Sequence, residues 1–595
     1  MRSSDCGSCP SDHWRRADRV TTVIHRCRLV AVAGLLCGAQ VVAAFADEPL
    51  HVRIDRLIVA PLQGIEPRPT CDDHAFARRL YLDLAGRIPS RDELAEFVAD
   101  ASEDKRPALI ERLLGGPDYP RRMQELFHAM LMERRGDQPD WTTFLRTSFA
   151  VNRPWNELVG AITHPDADSE QDRGAAFFFT RRLVSEGAMA PVDVPGLTRD
   201  FGRLFAGVDL QCAQCHDHLT VEQYKQRDFQ GLHAVFTNVV NVNGKPFPAV
   251  AEKVMTAKTE FMSVFTQEPM STGPRVPGGD EIEIAVFDEG QEFAVEPDNK
   301  ARTTGVPKFS PLKELAQRLT SAENALFCRN IANRLWFVMM GRGLVEPLDL
   351  LHDDNPPSHP ELLDLLATEF AARQFDVKWL LREMALSETY QRSSTIPAVD
   401  ALPDISTHAI ALEKRLSAEQ LFWSTLVALG EVERLRAVEA EKPDDKADDK
   451  AEAKAEDKAA SPQLWTKTPL EDLVTRHEHL QKLQKSFVDA FANPPQEPEI
   501  EFEPSVKAVL FLLNDNRVLQ LFERRPGNLI DSLARSTDDA ELVDGLFLSI
   551  LSRPPTDDDR RDVHAYLLSR QDDRDAALGH LAAVLLSSTE FCINH

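Results

Sequence analysis

Apolar residues recur at helical spacing along most of this 595-residue chain, and that repeat, broken again and again by Gly and Pro, constrains the fold more than any other feature. A period near 3.6 buries one stripe per segment, so segments of this kind must pack helix on helix. The run Asp72-Asp73-His74-Ala75-Phe76-Ala77-Arg78-Arg79-Leu80-Tyr81-Leu82-Asp83-Leu84 predicts a helix. Ala85-Gly86-Arg87-Ile88-Pro89 ends it, and Ser90 with Glu93 makes a capping box for the next. Further helices are predicted over 92–99, 105–114, 121–133, 141–151 and 155–162.

After Phe236 the texture changes. Residues 241–307 are rich in Gly, Pro and Thr, and Glu281-Ile282-Glu283-Ile284-Ala285-Val286-Phe287 alternates as a half-buried strand does. Helical spacing returns over 312–319 and over 327–340, where Gly341 ends the run. Ser358-His359-Pro360-Glu361 predicts a capping box for a helix at 362–370, and Asp376 predicts a cap for 377–390. Helices are expected near 505–513, 516–523, 529–534, 541–551 and 576–587. The Lys/Asp/Glu/Ala run at 441–460 has no core-forming residue and reads as a solvated insertion. The expected fold is mainly α: helical domains at 47–240 and 308–595 joined by a Gly/Pro-rich, partly β connector at 241–307.

Within the first half, Cys212-Ala213-Gln214-Cys215-His216 carries the chemistry. Two thiols at this spacing followed by an imidazole suit covalent haem c: Cys212 and Cys215 as thioether attachments, His216 as the proximal iron ligand. The same spacing serves two other chemistries. With His218, the three side chains offer two thiolates and two imidazoles to zinc; alone, the cysteines can close a structural or redox disulfide. A haem commonly takes a sixth ligand, for which His233, Met255, Met262 and Met270 are the candidates, none at a diagnostic position. His218 lies too close in sequence to His216 to reach the opposite face of the same ring. Iron left pentacoordinate suits ligand binding or peroxide chemistry better than electron transfer alone.

The N-terminus bears on compartment. Arg15, Arg16, Arg19, Arg26 and Arg28 precede an apolar run from Leu29 to Phe45, and Ala44-Phe45-Ala46 has small residues at the two positions that a signal peptidase reads. Residues 1–46 are therefore read as a signal peptide cleaved before Asp47, and the protein as exported, periplasmic or extracellular, without stable membrane insertion after cleavage. Of nine cysteines, Cys6, Cys9, Cys27 and Cys37 leave with that segment, and Cys71, Cys212, Cys215, Cys328 and Cys592 remain. That is too few for a disulfide-stapled scaffold. With 68 Lys and Arg against 95 Asp and Glu the chain is strongly acidic, which argues against nucleic acid and anionic membrane surfaces as partners.

Other polar motifs have structural readings. His359 packs or caps at a helix start, and Arg334 on an apolar helix pairs with a carboxylate such as Asp349 or Glu361. Cys328 is a buried helical thiol. Asp353-Asp354-Asn355 lacks the alternating ligands of a calcium loop. No Walker loop, nucleotide fingerprint, GxSxG elbow or HExxH is present.

Leu204-Phe205-Ala206-Gly207-Val208-Asp209-Leu210-Gln211-Cys212-Ala213-Gln214-Cys215-His216-Asp217-His218, with Tyr224 and 229–236, resembles the planctomycete cytochrome C-type domain. The motifs Asn333-Arg334-Leu335-Trp336, Gly341-Arg342-Gly343-Leu344-Val345, Pro356-Pro357-Ser358-His359-Pro360-Glu361-Leu362-Leu363, Thr389-Tyr390-Gln391-Arg392-Ser393-Ser394 and Leu551-Ser552-Arg553-Pro554-Pro555-Thr556 are similar to the planctomycete secreted domain that usually follows it. The resemblance spans most of the chain after residue 46. It implies secreted proteins whose biochemical function is undetermined, and its cytochrome label rests on the same CxxCH. After His218 the family often continues with Pro or Lys, Phe and Asp; Leu219-Thr220-Val221-Glu222 stands here instead. The reading that follows is an exported c-type haem protein in electron transfer or a haem-dependent redox step, with a redox partner protein or an extracellular substrate. Its rivals are a secreted scaffold using CxxCH as a disulfide or zinc site, and a metal-dependent hydrolase of extracellular polymers. Whether it is an enzyme is left open by the sequence.

Overall fold

The computed structural model describes residues 48–184, 192–298, 300, 304–396, 403–440, 469–497 and 506–595. Residues 1–46, read above as a signal peptide, and the charged insertion at 441–460 lie outside the described residues. The chain divides into two compact units, 1–53 and 54–595; of the first only 48–53 are described, and they include the start of a helix at Leu50. The second unit is mainly α, with small two-stranded sheets confined to 239–307 and to the pairing of 414–415 with 593–594. Among the described residues no helix is long and apolar enough to cross a membrane.

The helix Asp73–Ala85 organises the unit. Asp72 caps it by accepting from the Ala75 amide, and Gly86 ends it in the left-handed region at φ 66°. A Cβ at Gly86 would also fall 2.9 Å from Cδ of Arg122. From Phe76 onward every residue of this helix is buried, Arg78, Arg79 and Asp83 included. Buried charges are costly unless most of their donors find acceptors. Arg78 donates to the main-chain oxygens of Phe591 (2.9 Å), Ile593 (3.2 Å) and Glu590 (3.3 Å), and Arg79 donates to those of Tyr390 and Arg392. An early helix is thereby surrounded by the last residues of the chain. Leu82 and Ile88 continue this into one apolar core with Phe422 and Trp423 of the helix Ala418–Ala428 and with Leu546 and Leu578.

The connector is partly β. Residues 239–241 pair with 250–252, 259–262 with 269–272, and 293–295 with 306–307, all antiparallel. The strand expected at 281–287 does not form. Glu281 makes one isolated bridge with Arg275 and the Ile282 amide donates to Pro274, but no neighbouring strand supplies a ladder. Only Ile282 is buried, while Val286 is 90 % exposed.

In the second half, Ala325–Met340 ends at Gly341 with φ 80°, and Arg334 pairs with Asp349. Cys328 is buried in this helix. The capping box expected at Ser358 is absent. His359 holds the N-cap position of Pro360–Ala372 without a side-chain cap bond, because Pro360 fixes the first helical residue and His359 turns inward against His408, 5.8 Å between ring centroids. Asp376 caps Val377–Leu386 as expected, accepting from Trp379. The predicted single helix to residue 390 breaks at Ser387 (ψ 144°), whose hydroxyl caps Glu388–Gln391.

Candidate functional site

The motif follows a helix that changes pitch. Val194–Phe201 runs into a π-turn at Gly202–Ala206, a feature frequent at functional sites, and Gly207 closes it at φ 67°. Gly207 accepts from the Leu351 amide at 2.9 Å, and a Cβ here would sit 2.6 Å from a Leu351 methyl. The chain then enters a 3₁₀ turn at Cys212–Gln214, with the Cys215 amide donating to Cys212. Three residues per turn eclipse positions i and i+3, so Cys212 and Cys215 project from one face. Both thiols are free and exposed, while Ala213 between them is buried.

His216 is held in one tautomer. Its Nδ1 lies 2.7 Å from the main-chain oxygen of Asp217. A carbonyl only accepts, so Nδ1 carries the proton and Nε2 presents a lone pair, the form in which a histidine binds a metal. His218 has the opposite arrangement. Its Nδ1 accepts from the amides of Val221 (2.9 Å) and Thr220 (3.3 Å), which places its proton on Nε2 and makes it the organiser of the 218–221 turn. Its ring stands edge-on to buried Tyr224, whose hydroxyl donates to Leu351.

Three elements hold this loop. The helix Gln226–Phe236 does so through Gln226, whose amide donates to the Asp217 carboxylate at 2.9 Å, and Gln230, whose side chain donates to the Gln214 oxygen at 3.0 Å. Arg199 donates to the Gln214 side chain at 2.7 Å. On the other side, the 259–272 hairpin places the Val264 amide 3.1 Å from the Cys215 oxygen and the Phe265 ring 4.7 Å from that of His216. Gln226 also donates to the Met262 oxygen at 3.1 Å. Of the sixth-ligand candidates, Met262 and Met270 are exposed on this hairpin and Met255 is buried. His233 shares the helix of Gln226 and stacks on Phe229, with burial holding its pKa below the ordinary value and Nδ1 buried without a hydrogen bond.

Beside the motif lies exposed apolar surface: Leu219, Met262, Val264 and Phe265 are each more than half exposed. Among the described residues, no group of three or more His, Cys, Asp or Glu side chains is arranged to hold a metal ion; Cys212, Cys215, His216 and His218, the expected zinc set, do not converge. Phe265 and Gln226 were not legible as site residues, since neither falls in a pattern tied to the cysteines.

Fold and site define a class, a mainly α protein with an exposed CxxCH turn ahead of a second helical region. Residues 53–241 match the family model PSCyt2 and residues 312–567 match PSD1, both described as proteins of unknown function, DUF1549 and DUF1553. The chain belongs to the proteins that join a PSCyt2 domain, the planctomycete cytochrome C domain, to a following PSD1 domain. No curated protein and no solved structure matches it.

Proposed function

We propose that the chain is an exported c-type haem protein that serves electron transfer or a haem-dependent redox step. The observation that carries this reading is His216, with Nδ1 committed to the Asp217 carbonyl, next to two exposed thiols on one face of a 3₁₀ turn. Addition of each S–H across a porphyrin vinyl group makes one C–S and one C–H bond and needs neither oxidant nor leaving group. When bound, haem would supply a one-electron couple. The protein's own part is positional. Asp217 fixes the imidazole tautomer, the Val264 amide fixes the turn through Cys215, and Leu219, Val264 and Phe265 offer the apolar surface that a porphyrin would cover. Met262, whose main-chain oxygen is tied through Gln226 to Asp217 beside the motif, is our candidate for a sixth ligand. Among the described residues, the lack of a converged tetrahedral cluster favours haem over zinc.

The test is a haem-stained denaturing gel of protein exported from a host with active cytochrome c maturation. Staining that survives denaturation, and is lost in a Cys212→Ala/Cys215→Ala variant secreted in equal amount, is the expected result. A native band that never stains sinks the proposal.

A further inference from the structure

We propose that the cavity between the helices Asp118–Met132 and Ala325–Met340 and the segment 413–420 binds a small organic carboxylate with an apolar body, whose anion is received by Arg122. The cavity measures about 440 Å³, within the range that holds small-molecule ligands. None of its lining residues belongs to the 211–230 loop and helix that hold the cysteines.

The argument rests on the pairing of charges in its wall. Lys414 lies 2.6 and 2.7 Å from the two Asp83 oxygens. Glu125 accepts from Trp423 Nε1 at 2.7 Å and from Arg121 at 3.0 Å. Glu133 takes Arg203 at 2.5 Å, Glu419 takes Arg134, and the lining Arg334 is itself taken by Asp349 outside the cavity. Each of these carboxylates is thus already answered by a cation.

Arg122 is the exception. It is 94 % buried, at 6 % relative exposure, yet no carboxylate lies within ion-pairing distance. Its one hydrogen bond is a long one, Nε to the Asp83 main-chain oxygen at 3.4 Å. Its stem is pressed against Gly86, where a Cβ would fall 2.9 Å away. Burial lowers its pKa, and Asp83, Glu125 and Glu419 offset this only from beyond contact; a buried guanidinium with no anion in contact is costly. A carboxylate in the cavity supplies the missing partner with two parallel N–H···O bonds, the geometry for which Arg is suited.

The remaining wall fixes the rest of the ligand. Leu126, Met130, Leu204, Phe337, Val338 and Phe491 present apolar surface, so an inorganic anion would leave most of the volume unfilled. Met130, Phe337 and Val338 are half-buried, and Glu413 and Arg415 are exposed, which puts the mouth on their side. This inference does not depend on haem.

The experiment is isothermal titration of the full chain with 3-phenylpropanoate and decanoate, and with 3-phenylpropanamide as the neutral match. The expected result is binding of at least one acid with a preference over the amide of about tenfold or more, the worth of a charge-assisted hydrogen bond. Arg122→Gln should erase that preference while amide binding persists, and Val338→Trp, at a half-buried wall position, should abolish both. If the Gln variant does not fold, the acid-to-amide ratio of the native chain and the Val338→Trp variant decide. Equal affinities for acid and amide, a preference that survives in Arg122→Gln, or no binding of either acid at millimolar concentration overturns the proposal.

Discussion

Lys414 and Asp83, 331 residues apart, meet in the interior with Nζ 2.6 and 2.7 Å from the two carboxylate oxygens. The pair is fully satisfied. Tyr390 and Asn594 each donate to Asp83 at 2.9 Å, and Lys414 donates to the Val338 and Met339 oxygens at 2.9 Å, at the negative end of the helix Ala325–Met340. Removing one partner leaves an uncompensated charge, so Lys414→Met should destabilise the fold by about 3–5 kcal/mol. Thermal unfolding checks this. Asp83→Asn/Lys414→Met should recover a large part of the loss, and a double variant no better than the single one would contradict the pairing.

Acid should weaken the fold through His408. Its ring accepts from Trp336 Nε1 at 3.4 Å, and burial, followed by His359, Arg342 and Arg392, holds its pKa down to about 3 against 6.5 for the ordinary imidazole. Between those values the unfolded chain binds a proton that the folded chain does not. The stability from this neutral ring is whole above pH 6.5 and is lost as pH falls toward 3, by up to ~1.4 kcal/mol per unit. His595, held to about 4 by burial, acts in the same direction. In His408→Asn, with a residue that tolerates the φ of 53° at this position, the fall in unfolding free energy between pH 6.5 and 4 should be shallower. An unchanged slope would be inconsistent with this account.

Thiol reactivity should separate the cysteines. In haem-free chain beginning at Asp47, Cys212 and Cys215 are exposed and should react with a disulfide reagent within the first phase. Cys328, pushed up to about 11 by burial, and Cys71, raised by burial, should react only on unfolding. Mapping the labelled peptides decides it, and early labelling of Cys328 would contradict the described packing.

Phe265→Ala should leave attachment intact but change the couple. The side chain lies over His216 and its removal admits water beside the imidazole, which favours the more highly charged oxidised state and lowers the midpoint potential of haem-loaded protein. Redox titration reads the shift. A potential equal to that of the native chain would remove Phe265 from the site.

Much of this architecture is legible in local signals, because caps and glycines act within a few residues. Ser90 and Asp376 cap as their spacing predicts, and Gly86 and Gly341 end their helices. The strand at 281–287 failed because alternation says which face a strand would bury and nothing about whether an edge is there to pair with it. The helices Leu470–Arg476, Glu478–Phe491 and Asp557–Ser569 went unread; the last has only Val563 and Leu567 buried and a weak apolar stripe to betray it. At the site, CxxCH stands out by spacing alone, whereas Phe265 and Met262 reach it through tertiary pairing of the hairpin. Arg78 and Arg79 look like a solvated helix face in sequence. Only distant chain makes them interior: the terminus, some five hundred residues later, for Arg78, and the 390–392 segment for Arg79.

The pyridine haemochrome spectrum of the exported protein tests the central claim most directly. One haem per chain, with both vinyl groups saturated in the native protein and no covalent haem in Cys212→Ala/Cys215→Ala, is what the geometry of the 212–216 turn predicts. A colourless native protein, or haem that extracts freely into acid acetone, would contradict it.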